Sequence, residues 1–254
     1  MFTMIPLDVE GEEVVGLSKQ FYLIVLVGAF YGLIAGSLMW ALSHVFSALA
    51  AGVLALLVVH ALNRFLHFDG LSDFGDGMIC SGDQEKKMRA VKDSHTGAGG
   101  IGYSIMFTAL SIVALGELSP QLVFFGPFVA ELLNKNAMVF AASAGSSREG
   151  LGGIFVKNAS GKTAAISALI SLTFIIPVGF GFYWYYSLSL SWLILMILVP
   201  LAISCLVGAI AAKIAMKGFG CVNGDVLGAT NEFSRPFVLL TVSAVVWCLA
   251  TLHW

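Results

Sequence analysis

Seven apolar runs constrain this chain more than any other feature. They lie near Phe21–Ala41, Phe46–Leu62, Ile101–Leu118, Leu122–Ala142, Ala164–Tyr186, Trp192–Met216 and Phe237–Leu252. Each approaches the roughly 20 residues that carry a helix across a hydrocarbon core. Composition agrees: 58% of the 254 residues are hydrophobic and 11% charged, where a soluble domain carries roughly 25% charged residues. Mean hydropathy is +0.92. The expected fold is an all-α integral membrane protein, a polytopic bundle of about seven transmembrane helices. The longest stretch without a spanning candidate, Asn63 to about Gly100, is shorter than the roughly 50 residues of a separate domain. Residues 1–254 are therefore expected to form a single transmembrane domain, with any chemistry built from its helices and loops.

Basic residues orient the bundle. Lys19 precedes the first run; Arg64, Lys86, Lys87, Arg89 and Lys92 separate the second from the third. Arg148, Lys157 and Lys162 follow the fourth, and Lys213, Lys217 and Arg235 are expected at or between the ends of the sixth and seventh. With seven crossings, 12 of the 13 basic residues fall on one side. The positive-inside bias makes that side, and the N-terminus, cytoplasmic, in a multi-pass protein of the cell membrane. Asp8, Glu10, Glu12 and Glu13 make the start acidic, unlike a secretory signal. The exception, Lys135, lies inside the fourth run, one helical turn from Glu131, and the two are expected to neutralise each other. His44, His60 and His253 lack polar neighbours and are expected to be structural or interfacial. The cysteines form no pair or cluster at zinc spacing.

The polar content gathers on the cytoplasmic side. Between Arg64 and Asp93, 11 of 30 residues are charged, and within them runs His67-Phe68-Asp69-Gly70-Leu71-Ser72-Asp73-Phe74-Gly75-Asp76-Gly77. On a helix, Asp69, Asp73 and Asp76 share one face. Two carboxylates about 6 Å apart repel by roughly 2–3 kcal/mol at an effective dielectric near 20, so three beside lipid call for a hard divalent cation. Mg²⁺ takes few carboxylates and completes its shell with water and phosphate oxygens, which favours a phosphorylated substrate. Gly70, Gly75 and Gly77 each weaken a helix by about 1 kcal/mol relative to Ala. They suit a backbone that approaches another helix or a bulky ligand. The plain alternative is a solvated acidic helix end. Three further clusters share the side: Lys92-Asp93-Ser94-His95-Thr96-Gly97-Ala98-Gly99-Gly100, Arg148-Glu149-Gly150-Leu151-Gly152-Gly153 with Lys157, and Asn223-Gly224-Asp225 through Glu232. Glycine-rich helix starts present N–H groups to phosphate, and Asp225 and Glu232 are two turns apart on one helical face.

These residues resemble the cobalamin synthase family, the adenosylcobinamide-GDP ribazoletransferases. The resemblance rests on His67-x-Asp69-Gly70-Leu71-x-Asp73-x-x-Asp76-Gly77, then in order on Lys92-Asp93-Ser94 with Gly97, Arg148-Glu149-Gly150-Leu151-Gly152 through Phe155 and Lys157, and Gly224-Asp225-x-Leu227-Gly228-Ala229 with Glu232. Phe2-Thr3-x-Ile5-Pro6 looks like the family's start. Where the family commonly has Ser-Arg in a central span, this chain has Asn134-Lys135, which keeps a cation without the planar fork of arginine. The resemblance implies joining adenosylcobinamide-GDP to α-ribazole or its 5′-phosphate with release of GMP, and a requirement for Mg²⁺. On that reading Asp69, Asp73 and Asp76 hold metal, with Asp93 as a further ligand. Asp76 or His67 removes the hydroxyl proton. Arg148 and Lys157 pair with phosphate; Asp225, Glu232, Lys135, Gly70 and Gly77 complete the substrate contacts. The remaining partner expectations are the lipid bilayer, no nucleic acid, and scope for a homo-oligomer.

Two other readings compete. CDP-alcohol phosphotransferases also gather aspartates and glycines at a membrane surface, but their pattern has Ala-Arg after Asp-Gly-x-x, whereas Asp69-Gly70 here is followed by Leu71-Ser72-Asp73. A cation transporter would want ionisable residues near the midplane and repeated halves; only Glu131 and Lys135 qualify, and no repeat is visible.

Overall fold

A computed structural model describes residues 11–251; the motif at residues 2–6, the end of the seventh run and His253 lie outside the described residues. The chain forms α1 (Gly11–Lys19), α2 (Ile24–Leu42), α3 (Ala48–Leu62), α4 (Leu66–Ile79), α5 (Gln84–Val91) and α6 (Ala98–Gly116). It continues with α7 (Phe125–Ala144), α8 (Leu151–Asn158), α9 (Gly161–Tyr185), α10 (Leu190–Phe219) and α11 (Gly224–Thr251). No β-strand occurs among the described residues; one isolated bridge joins Ser147 to Val222. The all-α membrane fold holds.

Seven helices occupy the seven apolar runs, but they are not alike. Four are long and apolar enough to cross a bilayer unaided: Phe21–Leu42, which adds a 3-10 turn to α2, together with α6, α9 and α10. A fifth arises only if α3 and α4 count together, and their axes meet at 91°. Length and hydropathy thus support four or five crossings where seven were expected. The cause is shelter. In α7 every residue from Phe125 to Val139 is buried, and in α11 residues 226–236 are buried likewise. Helices surrounded by protein need not be apolar, so these two carry charge that a lipid-facing helix would exclude.

That charge forms one cluster. Arg235 Nε donates to Glu131 Oε1 at 2.6 Å, and its two terminal nitrogens donate to Glu232, one at 3.2 Å and the other closer. Lys135 Nζ donates to Asn231 Oδ1 at 2.5 Å, and Asn231 passes a hydrogen bond to Glu232 at 3.0 Å. Two acids and two bases leave no net charge. Three sequence expectations are corrected here. Arg235 is not in a polar connection: α11 begins well before Phe237, and Arg235 is 2% exposed inside it. Glu131 pairs with Arg235 rather than with Lys135. His60 is not isolated either; it is buried 3.9 Å from Glu232.

Two local features set the packing. Gly28, Gly32 and Gly36 recur every four residues on α2, and a Cβ at each would stand 2.6–2.8 Å from a backbone oxygen of residues 124–131. Small residues in this stripe let α2 lie against α7 with backbones in contact. Between α3 and α4, Arg64 and Phe65 adopt φ of 55° and 57°, left-handed values that are uncommon outside glycine and that turn the chain sharply. At about 1.5 Å per residue, the 14 residues of α4 reach about 21 Å, short of a ~30 Å core. Lying across α3, α4 instead passes over the ends of α6, α10 and α11, and does not itself span.

Replacing Arg235 with Met strands Glu131 and Glu232 against Lys135 alone. Removing one partner of a buried pair costs about 3–5 kcal/mol. Thermal unfolding followed by helical circular dichroism should show that loss, and Glu131→Gln in the same chain should recover part of it by restoring neutrality.

Candidate active site

Where α4 crosses the start of α11, the chain encloses a pocket of about 290 Å³. Its walls bring together His67 and Asp69 of α4, Lys92 at the end of α5, Glu149 to Gly153 at the start of α8, and Asn223, Gly224, Asp225, Leu227 and Gly228 at the start of α11. Met138 of α7 and Phe155 of α8 close it on the apolar side. Four segments scattered over the sequence, each carrying a polar motif, therefore meet at one point.

Close backbone approach makes the meeting feasible. A Cβ on Gly70 would lie 2.8 Å from the carbonyl oxygen of Asp225 and 3.3 Å from Gly228 Cα, so α4 and α11 touch through their main chains. Gly152 sits as tightly against Gly224. The first turns of α8 and α11 thus both flank the pocket. Each helix start leaves N–H groups without intrahelical acceptors and carries the positive end of the helix dipole. Asn223 caps α11: its Oδ1 accepts from Val226 N at 3.0 Å, and its Nδ2 donates to Asp225 Oδ2 at 2.9 Å. Lys92 Nζ donates to the same oxygen at 2.7 Å.

The aspartates divide their labour. Asp69 is exposed on the pocket wall. Asp73 is half-buried, and its pKa is pushed up to about 7, first by burial, then by the carboxylates of Asp69 and Asp225. Asp76 turns the other way, accepting from Gly97 N at 2.7 Å and Gly100 N at 2.9 Å; it caps α6, binding two of that helix's free N–H groups. His67 is 2% exposed, and neither ring nitrogen has a hydrogen-bond partner within the protein. Burial first, then Lys135, hold its pKa well below the usual histidine value, so it is a neutral imidazole with a free lone pair.

Other anticipated residues lie apart. Asp93 is exposed, accepts from the backbone N–H and ring of His95, and is not part of the wall. Arg148 and Lys157 are exposed beside the pocket rather than lining it; the carbonyl of Arg148 instead packs on Gly153. Glu232 and Lys135 belong to the buried cluster beneath. Gly70 and Gly77 make helix contacts, Gly77 against Val91 and Phe219. Conversely, Lys92, Glu149 and Asn223 stand in the wall without having been singled out one by one. Asn223-Gly224-Asp225 before an apolar run is a readable cap signal, whereas nothing local announces the Lys92–Asp225 pair.

Metal fit follows from the donor set. Among the described residues no three His, Cys, Asp or Glu side chains form a group that could hold a metal ion. Mg²⁺ does not need three, since it takes one or two carboxylates plus phosphate oxygens and water. Asp69 and Asp225 on the pocket wall, both near enough to Asp73 to raise its proton affinity, supply carboxylates in that number, while Asp73 itself stands behind the wall.

A polytopic α-helical membrane protein with an acidic pocket walled by glycine-rich helix starts is what fold and site define. The cobalamin-5-phosphate synthase family model matches residues 1–243, and the chain belongs to that family. It is 33% identical to the adenosylcobinamide-GDP ribazoletransferase of Methanocella arvoryzae, over 96% of this chain and 93% of that one. The proteins of the same name from Thermococcus gammatolerans, 33% identical over 72% of this chain and 71% of that one, and from Methanosarcina mazei, 27% identical over 95% and 88%, are also similar. No solved structure matches the chain.

Gly70→Ala forces a methyl group into backbone at 2.8 Å, and overpacking of this kind costs about 1–3 kcal/mol. Its thermal midpoint should fall. Gly102→Ala, where a Cβ meets nothing within 4 Å, should leave the midpoint unchanged or raise it, as Ala outranks Gly in a helix by about 1 kcal/mol.

Proposed function

We propose that this chain transfers the phosphocobinamide group of adenosylcobinamide-GDP to α-ribazole or its 5′-phosphate, forming adenosylcobalamin or its 5′-phosphate and releasing GMP. The observation that carries the reading is the convergence of His67, Asp69, Lys92 and the starts of α8 and α11 on one pocket in a member of this family. Phosphoryl transfer asks a protein mainly to align the reactants and neutralise charge, and the pocket has parts for both.

The diphosphate lies between the two helix starts, taking their free N–H groups. Lys92, now paired with Asp225, turns to a phosphate oxygen when substrate enters, because its stem is flexible and its head is exposed. His67, on the pocket wall, accepts the proton of the attacking ribose hydroxyl once bound substrate opens a path to its ring nitrogens, which neighbouring residues otherwise cover. The new P–O bond forms at the phosphorus nearer the corrinoid, and the bond to the GMP phosphate breaks. Asp69 and Asp225 would hold Mg²⁺, with Asp73 close behind them, and the ion would supply charge neutralisation at the diphosphate. The Asp76 carboxylate keeps α6 seated against α4.

The pocket faces the cytoplasm from the cell membrane. Support comes from the basic residues: Lys86, Lys87, Arg89 and Lys92 lie on or beside α5 at this end. The bond from Asn158 Nδ2 to Ser18 Oγ ties α1, with Lys19, to α8 on the same side. Positive charge marks the cytoplasmic side. A transporter is disfavoured because the midplane charges are paired with one another, and the cavity touching Glu131 and Arg235 is only about 10 Å³, near the size of a single water.

The decisive assay supplies adenosylcobinamide-GDP, α-ribazole and Mg²⁺ to the purified protein in lipid discs and follows GMP and cobalamin. Failure to form either product would refute the assignment. Asp73→Asn should abolish transfer while the helical spectrum stays native. Lys92→Met removes a charged hydrogen bond worth about 1.5–3 kcal/mol, and should cost about 10–100-fold in kcat/KM for the GDP substrate. Chelation should stop the reaction and excess Mg²⁺ restore it.

A further inference from the structure

On the far side of α4, the bundle carries a second, larger hollow that shares no wall residue with the pocket. It is about 640 Å³ in volume and runs between α6, α10 and α11. Phe74 and Met78 of α4 form its upper end, Phe107 of α6 one side, and Ile203, Ile210 and Ala244 its length. Among the described residues no charged side chain lines it. Leu206, Ile210, Ile214 and Phe237 on its rim are 41–53% exposed, so the hollow opens sideways, into lipid, rather than toward either aqueous face.

Length, direction and charge point to one occupant. From Ile203 to Ile214 the lining follows α10 for about 16 Å, at about 1.5 Å per residue. That is the depth of one leaflet of a ~30 Å hydrocarbon core. The line then meets a cation. Lys217 follows Ile203 and Ile210 at seven-residue intervals, which places it on the same stripe of α10 one turn beyond the groove, and it is exposed. Lys213 stands exposed a turn below it. Beyond, Gln84 Nε2 donates to the carbonyls of Met216 and Lys217 at 3.2 and 3.3 Å, so α5 closes over this end of α10. A leaflet-deep apolar furrow that opens to lipid and ends beneath lysines matches a molecule with an alkyl tail and an anionic head. We infer that the furrow between α6, α10 and α11 is a binding site for an anionic phospholipid, its acyl chain along Ile203, Ile210 and Ala244 and its phosphate at Lys217.

The chain in the furrow packs on Phe74 and Met78, which share α4 with Asp69 and Asp73. The lipid therefore backs the helix whose other side walls the pocket. A nucleoside base would fill only a fraction of the furrow and would have to enter through hydrocarbon.

The test needs no enzymatic assay, and so stands or falls apart from the proposed reaction. The protein is reconstituted in discs of equal phosphatidylglycerol and phosphatidylcholine, extracted in mild detergent and weighed by native mass spectrometry. Wild type should retain one phospholipid, with phosphatidylglycerol favoured about fivefold, the effect expected of one lysine near a lipid phosphate. Leu206→Trp with Ala244→Trp, both on the exposed rim, should lose the retained lipid while the helical spectrum is unchanged. Lys217→Glu, at a solvent-exposed position outside the packing, should keep a lipid but lose the preference. The inference is overturned if wild type retains none, or retains both lipids equally. It is overturned as well if Lys217→Glu leaves the preference intact, or if a dimer mass vanishes with the tryptophan pair, which would give the furrow to a second copy of the chain.

Discussion

Arg235 is the point on which the bundle turns. It reaches from α11 to Glu131 of α7 while holding Glu232 on its own helix; the link from Lys135 to Asn231 runs the opposite way between the same helices. Desolvating each ion costs several kcal/mol, and a close pair recovers about 4 kcal/mol at an effective dielectric near 20. The terms are of similar size, so the cluster adds little net stability. It acts on register instead. Sliding α11 by one residue along α7 would leave four charges unmatched in a sealed interior, a far greater cost than misplacing apolar side chains of similar volume.

Register matters because the pocket is built on the same two helices. Asp225 lies two turns above Glu232 on α11, and Met138 lies one turn above Lys135 on α7. Whatever fixes Glu232 and Lys135 also fixes the height of Asp225 and Gly228 relative to His67. The glycine contact between Gly70 and Asp225 then has no slack, which ties α4 to that height. The open carboxylates and helix starts of the pocket are thus held by a rigid seam lying deeper in the bundle. Helix α4 joins the two hollows, with the pocket on one side and the apolar furrow on the other.

Much of this was legible beforehand. Apolar runs of membrane length announce helices whatever their neighbours, because hydrophobic burial depends on composition and length. The interleaved aspartates and glycines from His67 to Gly77 announced a helix that must lie close to something, and the resemblance to a family in several ordered motifs carried over the reaction class. The basic residues, read with seven crossings, put the polar motifs at one end, and four of those motifs do meet at one pocket. Arg235 escapes that pattern: by position it falls between the sixth and seventh apolar runs, but its helix starts eleven residues earlier and takes it into the core.

What the sequence determined by itself is the class, an α-helical membrane protein, and the residues from which a site must be drawn, since both depend on local composition and spacing. Only the tertiary structure decided which of them face one another. Asp76 caps α6 instead of facing the pocket, Lys92 meets Asp225 across more than a hundred residues, and α7 and α11 carry charge because other helices screen them from lipid. Each depends on how helices pack in three dimensions, and a charged residue cannot be told as buried, paired or free until the helix beside it is known.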